Sequence, residues 1–162
     1  MPIGDISVLK QLFDNVVIPD VVHDEFCYVK ILCNRVNKLI DEGFVVVEDI
    51  DTDSQCYELY IKLCYGYNID RPIGKGEAAA IVLAIKYSGI LASNNADDIK
   101  EAIRKFGLRR IKTGDILVKA YNENIINNAE GEQIWKRMID ANRYLTKNTF
   151  SQYLNENPTS LL

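Results

Sequence analysis

Apolar and polar positions along the chain follow two alternating periods. DISVLKQLF (5–13) has apolar residues three and four apart, the spacing of one helix face, and ends at the turn-like Asp14-Asn15. VVIP (16–19) is a β-branched run closed by proline, which suits a short buried strand. From Asp20 the pattern becomes helical again and runs, with an interruption left open, to Gly43 as a C-terminal cap. FVVVEDI (44–50) predicts a second strand and DSQCYELYIKLCYGY (53–67) a helix. The second half repeats the alternation: a helix over 77–87, the strand ILAS (90–93), a helix over 96–106 stopped by Gly107, and the strand RRI (109–111). Thr113 is then placed to cap a helix, 130–145 carries a further amphipathic pattern, and a shorter turn is expected near 149–154. Apolar strands alternating with helices predict a three-layer α/β/α fold with a mainly parallel central sheet. In such sheets ligands gather at the carboxyl ends of the strands.

Residues 74–84, GKGEAAAIVLA, place one acid, Glu77, at the mouth of an apolar helix. A phosphate loop would need Ser or Thr after the lysine to reach an ion, whereas Lys75 is followed by Gly76 and Glu77, whose charge repels phosphate. A plain helix-start glutamate would offset the helix dipole by at most about 1 kcal/mol. The alanines point instead to a helix packed tightly from its first turn, where a glutamate needs a partner charge or a metal ion. Glu25 follows the VVIP strand, and Asp97 and Asp98 follow ILAS, so three acidic positions sit after expected strands. Carboxylates gathered at one sheet edge repel one another unless a hard cation such as Mg²⁺ or Mn²⁺ is shared between them. Such an ion suits phosphodiester hydrolysis, because it activates water and neutralises charge growing on phosphate.

Composition narrows the classes further. At 162 residues, 48% apolar and 26% charged, the chain is expected to form one domain spanning 1–162 around one core. A net charge of −4 argues against nucleic-acid attraction by bulk charge. The local exception is RKFGLRRIK (104–112), where Arg104, Lys105, Arg109, Arg110 and Lys112 make either a solvated helix end or contacts to a phosphate backbone. One histidine leaves no triad, and no Cys-x-x-Cys pair suggests zinc. Cys56 and Cys64 read as buried reduced thiols, from which a cytoplasmic location is expected, and no apolar run reaches the length of a membrane span.

The ordered set VVIPDVVHDEF, GKGEAAAIVLA, LASNNADDI and GLRRIKTGDIL resembles the PIN-domain ribonucleases, many of them toxins of prokaryotic toxin–antitoxin pairs, across about residues 5 to 154. The resemblance implies a ribonuclease that uses Mg²⁺ or Mn²⁺, an RNA substrate, an antitoxin protein as partner and a homodimer. It implies Glu25, Glu77 and Asp98 as the acids that hold the ion, with Asp97 a one-step alternative and Asn95 nearby. Thr113 resembles the family's threonine near the last strand–helix junction, and Asp115 stands where the family usually has a small residue. Arg104, Arg109, Arg110 and Lys112 are the expected RNA contacts. One departure is marked: the family opens with a strand ending in Asp, whereas Asp5 stands at the start of a helix. The second reading is therefore a weakened PIN-like module that acts by binding a protein or RNA.

Overall fold

The computed structural model describes residues 6–67, 69–95, 97, 99–141 and 145–159. The chain divides into two compact units, one of residues 15–110 and one of residues 1–14 together with 111–162.

In the first unit, β1 (Val16–Pro19) leads into α2 (Asp20–Cys27) and α3 (Lys30–Asp41), numbering α1 (Ile6–Leu12) as the first helix. β2 (Val45–Glu48), α4 (Gln55–Tyr65), α5 (Lys75–Lys86), β3 (Ile90–Ala92), α6 (Lys100–Phe106) and β4 (Arg109–Ile111) follow. β1 and β2 pair in parallel, with Val16 opposite Val45 and Pro19 opposite Glu48. Proline tolerates this place because it ends the strand, where its missing N–H costs no ladder bond. β3 pairs with β4, so the described strands, three or four residues each, join two by two. The mixed α/β alternation expected from the sequence is present.

α5 is the centre of this unit. Ala78, Ala79, Ile81, Val82, Leu83 and Ala84 are all buried, together with Leu63 of α4, Leu91 of β3, and Ile99 and Ala102 around α6. A helix apolar on nearly every side belongs inside a core. Removing Ile81, Val82 or Leu83 from water contributes about 1.5–3 kcal/mol each. Burial also pushes the Cys64 thiol above its usual range, and burial followed by the Cys64 contact pushes the Tyr60 hydroxyl up to about 12. Cys56 and Cys64 are free thiols, as expected.

The expected long helix over 20–43 breaks at Tyr28-Val29, where Val29 is extended. Across that break Cys27 and Cys33 form a disulfide, which periodicity could not show. The cysteines therefore no longer argue for a reducing compartment.

The second unit holds α1, α7 (Thr113–Asn122), α8 (Asn128–Asp140) and α9 (Phe150–Glu156). Its core gathers Val8, Leu117, Val118, Ile134, Trp135, Met138, Phe150 and Tyr153. Helix boundaries differ from expectation for local reasons. Lys112, not Thr113, is the N-cap of α7, because the Asp115 carboxylate accepts the Lys112 N–H at 2.8 Å from the third helical position. α8 starts two residues before the expected 130 because Asn127 caps it, accepting from the Glu130 N–H while Glu130 accepts from Asn127.

Glu132 ties α8 to the first turn of α9. Its carboxylate accepts the Phe150 N–H at 3.1 Å, the Ser151 N–H at 2.7 Å and the Ser151 hydroxyl at 2.5 Å. Burial alone would raise its pKa, but these three bonds outweigh burial and hold it below the ordinary carboxyl value of 4.5. Because the folded pKa is depressed, this stabilisation is fully present above the unfolded value and is lost as pH falls through the folded one. Glu132→Gln is expected to cost about 1–2 kcal/mol at neutral pH. The gap between variant and parent melting temperatures should narrow as pH falls below 4.5. A pH-independent gap would mean that the charge contributes nothing.

Candidate active site

The carboxyl end of β1 runs directly into α2, so Glu25 stands less than two turns beyond the strand. Glu77 is the third residue of α5, after the N-cap Gly74. The two glycines leave room for both acids at the start of α5. A Cβ on Gly76 would lie 3.1 Å from Val22 Cγ2 and 3.4 Å from Glu25 Oε1. A Cβ on Gly74 would lie 2.5 Å from Glu77 Oε2. Both carboxylates therefore border the same glycine-flanked start of α5, one reaching it from α2 and one from α5 itself.

A third element joins them. Asn95, three residues past β3, donates its side-chain amide to Glu77 Oε1 at 2.8 Å. The turn that carries Asn95 is held by the Ser93 hydroxyl, which accepts the Asn95 N–H at 3.2 Å, and by Arg110 Nε, which donates to the Ser93 carbonyl at 2.9 Å. Arg110 is thus committed to shaping the turn, and its buried Nη2 has no partner among the described residues. Arg71 donates to the Asp97 carbonyl, and Glu101 accepts the Asp70 N–H at 2.6 Å, so the 69–73 loop is fastened to the same segment.

Of the acids expected from the sequence, Glu25 and Glu77 both border the start of α5. Asp97 lies exposed in the turn before α6, and Asp98 lies outside the described residues. Glu77 is half-buried and Glu25 exposed, so the acids line a surface open to solvent and Glu77 is not the fully buried glutamate that the packed helix start suggested. Among the described residues no group of three His, Cys, Asp or Glu side chains could hold an ion. The acids at this helix start offer carboxylate oxygens, the donors that hard divalent cations prefer.

The basic stretch divides. Arg104 and Lys105 occupy the last turn of α6, where cations oppose the carbonyl end of the dipole, and Arg109 is exposed on β4. Lys112, Thr113 and Asp115 belong to the other unit. There Asp115 is buried, its Oδ1 accepting the Tyr153 hydroxyl at 2.6 Å and its Oδ2 the Lys112 N–H. That pairing gives the departure at Asp115 a structural occupation which sequence spacing did not foretell. Gly114 beside it admits the Tyr153 ring, since a Cβ there would lie 2.4 Å from it.

Compared with protein-family models, residues 1–157 match one described as a PIN domain. Nothing matches among the curated proteins or the solved structures.

Proposed function

Because the chain belongs to the PIN-domain family, a nuclease-like three-layer α/β/α fold, we propose that it is a divalent-metal-dependent ribonuclease. The observation that carries this reading is that Glu25 and Glu77 both border the glycine-flanked start of α5, with Asn95 bonded to Glu77. Two carboxylates at one helix start repel each other, and a shared hard cation relieves that repulsion.

Glu25 and Glu77 would hold Mg²⁺ or Mn²⁺, with Asp98 supplying a further oxygen and Asp97 its one-step alternative. When bound, the ion activates water and offsets charge on the phosphate. Asn95 keeps the Glu77 side chain turned toward β3 by its hydrogen bond, so that carboxylate need not be ordered when substrate arrives. Arg104 and Arg109 offer charge to the RNA backbone without reading sequence. Arg110 acts as a positioning residue, through the Ser93 carbonyl. A toxin role with an antitoxin over the acidic surface, a homodimer and a cytoplasmic site of action accord with this reading. No described helix is long and apolar enough to cross a membrane.

The test is removal of the metal. Cleavage of single-stranded RNA by the full chain should stop in excess EDTA and return when Mg²⁺ or Mn²⁺ is restored. Cleavage that continues in EDTA contradicts the assignment. A second reading, a module that binds without cleaving, draws on the two carboxylates that border the start of α5 among the described residues. It predicts RNA or protein binding with no cleavage at any Mn²⁺ concentration.

A further inference from the structure

The ribonuclease reading leaves open how a chain with a net charge of −4 holds RNA. Phosphate attraction dominates most nucleic-acid affinity, yet here the overall charge opposes it and Arg110 is turned to a backbone carbonyl. Arg104 and Arg109 leave only local charge for this, so a contact of another kind would add to affinity.

Two rings on the same unit have no role in its core. Tyr65, the last residue of α4, is 67% exposed, and Tyr67 is 59% exposed. Their centroids lie 6.1 Å apart with planes tilted by 33°. Between them Gly66 adopts φ +74°, a left-handed conformation that ends α4 and brings Tyr67 alongside Tyr65. The turn is built tightly: a Cβ on Gly66 would lie 3.1 Å from Pro72 N and 3.3 Å from the Arg71 carbonyl carbon. The Ile73 N–H then donates to the Leu63 carbonyl at 3.0 Å, anchoring the loop to the helix that bears the rings.

The same loop reaches the acids through consecutive contacts. Arg71 holds the Asp97 carbonyl, Asp70 is bonded to Glu101, and two residues before Asp97 stands Asn95, bonded to Glu77. Two residues beyond Pro72 the chain becomes Gly74, the N-cap of α5. The tyrosine pair is therefore mounted on the loop that leads into the candidate active site.

We propose that Tyr65 and Tyr67 form a stacking platform for the bases of single-stranded RNA engaged at the Glu25–Glu77 surface. This rests on the ribonuclease reading of that surface. Aromatic faces accept any base, so stacking needs neither a basic groove nor sequence readout. Bases paired inside a duplex are not available to it, so the platform selects single strands.

The experiment measures binding of a labelled single-stranded RNA of about eight nucleotides to the full chain carrying Glu77→Gln, by fluorescence anisotropy. Adding Tyr65→Ala and Tyr67→Ala should weaken binding about 10- to 100-fold. Tyr65→Phe with Tyr67→Phe should stay within about twofold of the parent, because the ring faces remain. Melting temperature and binding to a duplex of equal length should not change. The platform is overturned if the alanine variant binds as tightly, if duplex affinity falls equally, if the parent fails to bind single strands, or if the substitutions change only self-association. The chain with Glu77 intact separates this result from the reading beneath it. Cleavage with an unchanged KM in the alanine variant would retain the ribonuclease and remove the platform. Tyrosine-dependent binding without metal-dependent cleavage would do the reverse.

Discussion

Replacing Glu77 by Gln is expected to reduce metal-dependent RNA cleavage at least about 100-fold, leaving the fold intact. The substitution keeps the length of the side chain and an oxygen that can still accept the Asn95 amide. What it removes is one negative charge at the start of α5, where Glu25 supplies the other. A neutral amide oxygen is a poorer ligand for a hard cation than a carboxylate. Charge stabilisation by a bound ion contributes several kcal/mol to such reactions, and each 1.36 kcal/mol is about tenfold in rate. Glu77 is only half-buried, so losing its charge should leave the melting temperature within a few degrees of the parent. Initial rates at saturating Mg²⁺, beside a thermal melt, check both halves. An undiminished rate would remove Glu77 from the site.

The largest expected effect on stability lies in the other unit. Trp135→Ala should destabilise it by about 3–5 kcal/mol. The indole is 1% exposed and packs at 5.2 Å from the Tyr153 ring and 6.1 Å from Phe150. Its Nε1 donates to the Lys147 carbonyl at 3.0 Å, so truncation opens a cavity and also strips a backbone acceptor of its donor. The cavity cannot close by collapse on the α8 side, because Gly131 already lies against Phe150, where a Cβ would come within 2.4 Å of the ring. A fall of about 10 °C or more in melting temperature is the predicted reading by circular dichroism. A change under about 2 °C would show that this cluster does not hold α8 and α9.

Much of this architecture is legible in local pattern. VVIP declares β1 through β-branching and a closing proline, and the run from Ala78 to Ala84 declares a buried helix through its lack of polar residues. Glu25 behind β1 and Glu77 at the mouth of α5 follow, and so does their place beside Gly76 and Gly74 once those glycines are recognised as places of close approach. What pattern cannot carry is which side chains meet, whether near or far along the chain. The Cys27–Cys33 disulfide spans a helix break that helical periodicity crosses without a mark. Thr113 has the chemistry of a cap, but Asp115 reaches back to Lys112 and moves the helix start by one residue. Arg110 reads as one more cation in a basic stretch, and only its bond to Ser93 shows that it shapes the turn holding Asn95. Tyr65 and Tyr67 pass in sequence for the apolar side of α4, whereas Tyr65 is exposed at its last residue and the left-handed Gly66 takes Tyr67 out of the helix.

The shared-cation account of Glu25 and Glu77 is tested most directly by Mn²⁺ binding, followed through the electron paramagnetic resonance signal of the free ion. The parent chain should remove Mn²⁺ from solution at a single saturable site, and Glu25→Gln and Glu77→Gln should each weaken that site at least about tenfold. Equal Mn²⁺ binding by the parent and both variants would contradict it.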